Sequence, residues 1–202
     1  METTLHKTRG IALTLKNFTG QSKSICFTTL ISILFCTLHD QVIGQSASAT
    51  WSLTSTASVS CTGSVTATNQ SSGSGINTIA YNATDGVNSR GWDSPSQDAN
   101  DYYQFTISPQ SGNSLIVTNI STLNNVSAST GSVLIQYSFN SSFTSPQPIG
   151  STYTVTTTQN SYSFSPTINV NNGQTLYIRM FAWKLQNANR TFNCKNFNIS
   201  GT

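Results

Sequence analysis

Histidine and glutamate are almost missing from this chain. Its 202 residues hold two histidines, His6 and His39, and one glutamate, Glu2, all ahead of residue 50. From residue 50 onward the acidic side chains are Asp85, Asp93, Asp98 and Asp101. Without histidine no Ser-His-Asp or Cys-His nucleophile set can be assembled, and general acid–base catalysis loses most of its usual groups. A pair of aspartates can hydrolyse a glycoside, but Asp98 and Asp101 on one short loop are a poor pair for it. Charge is also scarce, at 7% of all residues. After residue 50 the cations Arg90, Arg179, Lys184, Arg190 and Lys195 nearly balance the aspartates. No basic patch is left to neutralise phosphates, which excludes nucleic acid as a partner. Helical periodicity is absent from the same region.

The first stretch reads differently. Lys7, Arg9, Lys16 and Lys23 make a basic start, an apolar run follows from Ile25 to Leu38, and Gly44, Ala47, Ser48 and Ala49 supply small residues. Charged, apolar, then small is the order of a secretory signal. The apolar run is shorter than the ~18–20 residues that span a bilayer, so a cleaved signal over residues 1–49 is expected rather than a membrane span. Cleavage would fall after Gly44, Ala47 or Ala49. Lipidation at Cys36 is the lesser alternative, because Leu34 and Phe35 are too bulky for it. Export leaves Cys61 and Cys194 in an oxidising compartment, where an even pair predicts a disulfide. In the loop-entropy view so long a loop is worth about 4–5 kcal/mol. The other reading is two free thiols packed as small hydrophobes.

Residues 50–202 are one domain's worth of chain. Short runs alternate apolar and polar residues between Gly, Pro, Asn and Ser breaks. Strands are expected at Trp51–Thr54, Ser58–Thr66, Thr78–Asn82, Tyr102–Ser108, Ser114–Ser121, Ser132–Phe139, Tyr153–Thr158, Tyr162–Phe164, Thr167–Val170, Gln174–Lys184 and Phe192–Ser200. Many short strands at this spacing give an all-β fold: a two-sheet antiparallel β-sandwich of jelly-roll type. Period two turns Tyr103, Phe105 and Ile107, and likewise Val133, Ile135, Tyr137 and Phe139, toward the core.

Two segments carry candidate function. In Gln174–Lys184, an inward Leu176, Ile178 and Met180 leave Tyr177, Arg179, Phe181 and Trp183 outward. Aromatic faces stack on sugar rings and arginine donates to hydroxyls or carboxylates, so this row suits a polysaccharide unless a loop covers it. The second segment runs from Arg90 to Asp101. Asp93, Asp98, Asn100 and Asp101 could offer oxygens to a structural calcium ion, although turn and capping roles explain the same residues. Trp92, with Arg90 beside it, is either a ligand platform or a hydrophobic plug. Several Asn-x-Ser/Thr triplets, such as Asn69 and Asn140, follow from the Ser/Thr/Asn-rich composition.

The strings Gly63 to Gln70 (GSVTATNQ), Asp98 to Pro109 (DANDYYQFTISP), Ile135 to Ser138 (IQYS), Gly173 to Arg179 (GQTLYIR) and Lys195 to Gly201 (KNFNISG) together resemble the accessory β-sandwich domains of secreted Bacteroidetes proteins. Those domains stand beside pectate-lyase-like and other extracellular enzymes and are similar in outline to carbohydrate-binding modules. The resemblance implies a non-catalytic, extracellular or cell-surface, glycan-binding module with no required cofactor, here expected as a monomer holding a polysaccharide of plant or algal cell-wall type. A structural or adhesive spacer with no sugar site is the competing expectation. Exposed Trp92 and Trp183 would favour binding, and buried ones the spacer.

Overall fold

The computed structural model describes residues 44–202. Residues 1–43 of the expected signal segment 1–49, with Cys26 and Cys36, lie outside them. Thirteen strands follow one another: β1 (Ala47–Trp51), β2 (Ser60–Thr62), β3 (Val65–Ser72), β4 (Asn77–Asn82), β5 (Gly86–Arg90), β6 (Tyr102–Pro109), β7 (Leu115–Val126), β8 (Thr130–Ser138), β9 (Gln147–Thr156), β10 (Asn160–Phe164), β11 (Ile168–Val170), β12 (Leu176–Trp183) and β13 (Phe192–Gly201). They form two antiparallel sheets. The eight-stranded sheet runs β10-β7-β13-β1-β2, with β11 beside β7 and the β4–β5 hairpin beside β13. The five-stranded sheet runs β3-β6-β12-β8-β9. β6, β7 and β8, consecutive in the chain, alternate between the sheets, as do β11, β12 and β13. This is the expected sandwich.

The inner faces meet in one core. Tyr103, Phe105 and Ile107 from β6 and Leu176, Ile178 and Met180 from β12 are all fully buried. Phe105 stacks on Phe197 at 3.7 Å between centroids, and Trp51 meets Phe105 edge-on while its Nε1 donates to Thr68 O (2.9 Å). At the other end Trp92, Tyr103 and Phe192 pack ring to ring. The Trp92 indole N–H donates to Ser89 O (3.0 Å), so the ring is buried with its polar atom satisfied.

Several expectations need correction. Trp92 is completely enclosed and is a core plug, not a platform. Phe139 lies beyond the end of β8 and is 41% exposed, so the inward series stops at Tyr137. The expected strand Ser58–Thr66 breaks at Gly63, whose φ of 71° only glycine adopts freely and whose absent Cβ would meet Ser46 O at 2.5 Å. That turn sends β2 to one sheet and β3 to the other.

The sandwich also starts upstream of residue 50. Ala47 to Trp51 pair with β13 on one side, and Ser48 to Thr50 pair with β2 on the other. Cleavage after Gly44 leaves this strand whole, whereas cleavage after Ala49 removes three of its five residues.

No Cys61–Cys194 bond exists; both thiols are free, Cys61 exposed and Cys194 buried. Cys61 stands across from Ala49, which faces Ile199, five positions along β13 from Cys194. Five residues of strand are ~16 Å, far beyond disulfide reach.

Candidate functional site

The outer face of the five-stranded sheet carries the row expected of β12. Tyr177, Arg179, Phe181 and Trp183 point away from the core. Register builds cross-rows on them. Arg179 stands between Gln104 of β6 and Gln136 of β8, and Phe181 between Tyr102 and Leu134. A polar row therefore lies directly beside an apolar one.

The aromatic row is roofed. Phe181 is 3% exposed and Trp183 8%, in one buried cluster with Phe143, itself 9% exposed, whose ring lies 6.1 Å from that of Phe181 between centroids. Phe143 comes from the loop after β8. Ser138 Oγ donates to Thr144 O (3.0 Å) and accepts from Asn140 N–H (3.1 Å), and Asn140 Oδ1 accepts from Ser142 N–H (2.8 Å). Phe143 and Ser145 hold φ of 56° and 50°, a region that costs any side-chain-bearing residue. Hydrogen bonds and burial hold this loop against that strain. Phe181 and Trp183 are thus not the open stacking surface expected; they form a small second core with Phe143. Nothing in the sequence around Phe143 announced the roof, since an isolated Phe in a Ser-rich loop has no period.

Arg179 remains at the surface, half-buried. Its guanidinium carbon lies 3.9 Å from the Tyr102 ring centroid and 4.3 Å from that of Phe143. Its Nε donates to Gln104 Oε1 (2.8 Å). Burial pushes the guanidinium below its ordinary pKa, with Tyr102 acting in the opposite direction; the group stays charged at any physiological pH. The 91–101 loop closes the other side. Lys184 N–H donates to Ser94 O (2.9 Å) and Leu185 N–H to Trp92 O (3.2 Å), which ties the loop to the end of β12. Gln97 Nε2 then reaches Gln136 Oε1 (2.9 Å). Between the two loops lies a depression of about 340 Å³ whose lining includes Arg179, Phe181, Gln136, Gln97 and Phe143. Gln97, Gln104 and Gln136 were not singled out by sequence; only strand register brings them to Arg179.

The remaining expected residues are elsewhere. Arg90 ends β5 on the other sheet, with its Nε buried and unpartnered. The aspartate loop satisfies itself. Asp98 Oδ1 accepts from Asn100 N–H (2.8 Å), and Asp101 Oδ2 from Ser94 Oγ (3.3 Å). Burial raises the Asp101 carboxyl, helped by the charges of Asp98 and Asp93 and opposed by Ser94. Among the described residues no three His, Cys, Asp or Glu side chains come together as a metal-holding group. Asp98, Asn100 and Asp101 are thus engaged in hydrogen bonds within this loop and to Ser74. Among the same residues no helix is long and apolar enough to cross a membrane.

No family model matches the chain, and no curated protein does. Solved structures that resemble it include a family 29 carbohydrate-binding module, at 14% identity and a TM-score of 0.43 over 76% of this chain and 88% of that one. Another family 29 module, from Piromyces equi, gives 9% identity and 0.42 over 77% and 91%. A CBM4 structure gives 14% and 0.45 over 63% and 77%. Likeness this distant carries no argument about what this chain binds.

Proposed function

We propose that this chain is a secreted, non-catalytic glycan-binding module whose site is the depression around Arg179. One observation carries the reading: a guanidinium flanked by two aromatic rings, with three glutamine amides beside it, at an open surface between two loops. Sugars are recognised by this combination. Planar amides and a fork of N–H donors meet hydroxyls, while Phe143 and Pro146 in the lining offer apolar contact. The bound segment is part of a polysaccharide, with plant and algal cell-wall glycans the first to try. The described residues contain no histidine and no glutamate, in keeping with binding without turnover. Affinity electrophoresis in gels containing these polysaccharides tests the reading. The wild-type chain is retarded by at least one, and Arg179→Ala loses about tenfold or more in affinity, the scale of a charge-assisted hydrogen bond. Retardation unchanged by Arg179→Ala, or absent across the panel, rejects it. A calcium-free arm, with chelator, checks whether any binding needs the ion.

A spacer or adhesive domain without a sugar site is the second reading. The burial of Trp92 and Trp183 favours it, since neither ring is open to a ligand.

A further inference from the structure

The side chains around Arg179 hold a surplus of hydrogen-bond donors. A guanidinium has five N–H donors and no acceptor. Within the protein Arg179 spends its Nε–H, on Gln104 Oε1 (2.8 Å). Because Arg179 only donates, Gln104 must turn its oxygen to it, and the Gln104 Nε2 donors are left over. On the opposite flank Gln136 Oε1 accepts from Gln97 Nε2 (2.9 Å), which leaves the Gln136 Nε2 donors over as well. The amide oxygens on both sides of Arg179 are thus used inside the fold. Among the described residues the two terminal nitrogens of Arg179 and the Nε2 atoms of Gln104 and Gln136 find no protein acceptor. None of them is a buried unpartnered atom, and all three side chains are half-buried, so these nitrogens reach the surface.

Charge is unbalanced in the same place. Among the described residues the depression is lined by no carboxylate; its polar side chains are Gln97, Gln136, Ser142 and Arg179. Asp98, next to Gln97 in the chain, turns its Oδ1 to Asn100 N–H (2.8 Å). The rings of Tyr102 and Phe143, at 3.9 and 4.3 Å from the guanidinium carbon, offset part of the cost of burying the charge. They hold the planar group without neutralising it. A half-buried cation with free N–H groups and no counter-ion is completed by an anion that only accepts.

That distinguishes two kinds of sugar. A hydroxyl both donates and accepts, and its proton finds the nearby amide oxygens already taken. An ionised carboxylate accepts at both oxygens, and its shape matches the guanidinium fork. We propose that the Arg179 depression recognises the carboxylate of a uronic acid residue, so that the polysaccharide bound is an acidic one. This rests on the glycan reading above and names its substrate class. The carboxylate takes the terminal nitrogens of Arg179, with the spare amide N–H groups beside them. The depression, about 340 Å³, has the size of a small-molecule site rather than of a bare ion.

Calorimetric titration of the full chain at about 0.15 M salt tests this. The probes are trimers of galacturonate, guluronate, mannuronate and glucuronate, and the methyl ester of each. Neutral trimers of glucose, mannose, galactose and xylose, a sulfated galactose trimer and a glutamate hexapeptide complete the set. At least one uronate is expected to bind saturably, and its ester about tenfold or more weaker, the loss that follows from giving up a charge-assisted hydrogen bond. Arg179→Ala should bring acid and ester to equal affinity. Lys195→Ala, on the other sheet, should leave the preference unchanged. Gln104→Glu keeps an acceptor for Nε–H and sets a carboxylate beside the guanidinium. It should abolish uronate binding without lowering the melting temperature, which separates a ligand role from a structural one. An ester or a neutral trimer that binds as tightly as the acid overturns the uronate assignment and leaves the glycan reading standing. A sulfated trimer or the glutamate peptide that binds more tightly than every uronate overturns it in favour of another anion. Absence of binding by every sugar removes the glycan reading as well.

Discussion

Two tryptophans of this chain differ in what surrounds them, and mutation separates the two surroundings. Trp92 is enclosed by Tyr103 and Phe192 with its N–H on Ser89 O. Trp92→Ala should cost about 3–5 kcal/mol of unfolding free energy, the range for emptying a large aromatic from a core, measured by urea denaturation. Among single residues the sequence was clear where period two operated and silent where it did not. Tyr103, Phe105, Ile107, Leu176, Ile178 and Met180 were all readable as core, because alternation assigns a face. Trp92 sits in a loop, where no period says whether a ring turns in or out. Cysteine pairing failed for a related reason: the count was even, but only register shows that Cys61 and Cys194 lie at opposite ends of the sheet. The two thiols make a direct prediction. Burial pushes Cys194 up to about 12, against weaker lowering by Thr122 and Asn124, so at neutral pH it is protonated and inaccessible. A maleimide should label Cys61 in the native protein and Cys194 only after denaturation. Failure of both to react until a reductant is added would mean a disulfide.

At the scale of elements the loop after β8 matters most. Phe143 lies on Phe181 and Arg179 together, so the same ring shields the small outer core and orders the guanidinium. Phe143→Ala should therefore do two things at once. Phe181 loses its cover, seen as a lower urea midpoint, and affinity at the proposed glycan site falls because Arg179 loses one of its rings. The cation–π share of that loss is about 0.5–2 kcal/mol. An unchanged midpoint would mean that the loop does not protect the outer cluster. Strands were legible in proportion to their apolar alternation. β6 and β12 were found nearly to the residue, whereas β5 was missed because Val87 is its one apolar side chain. β7 runs past its expected end at Ser121, since Thr122 and Asn124 turn polar groups inward. Asn124 is tolerated there because Tyr153 Oη donates to its Oδ1 (2.9 Å) and its Nδ2 donates to Thr122 Oγ1 (3.2 Å).

For the whole molecule the fold was readable and the neighbourhood of Arg179 only in part, because residues brought together across strands depend on register that a linear pattern does not contain. The sandwich as a unit has its own predictions. β1 bridges β13 and β2, so a chain begun at residue 45 should melt cooperatively, while one begun at residue 50 should melt lower or fail to fold; comparing their thermal scans checks this. Stability should also fall in alkali. Burial raises Tyr103 and Tyr153 well above their ordinary pKa, as it does Cys194. Over that range the folded protein keeps protons that the unfolded chain has released, so the unfolded state is favoured as pH rises. For Cys194 the window runs from 9.0 to about 12, and urea midpoints taken across it should decline. The proposed glycan site is best tested at Arg179. Its Nε–H signal can be followed by NMR while the full chain is titrated with a polysaccharide panel. A saturable shift with at least one polysaccharide, lost when Gln136 and Gln104 are both changed to alanine in a chain that still folds, is the expected result. A signal that no polysaccharide moves would contradict a glycan site on this face and leave the spacer.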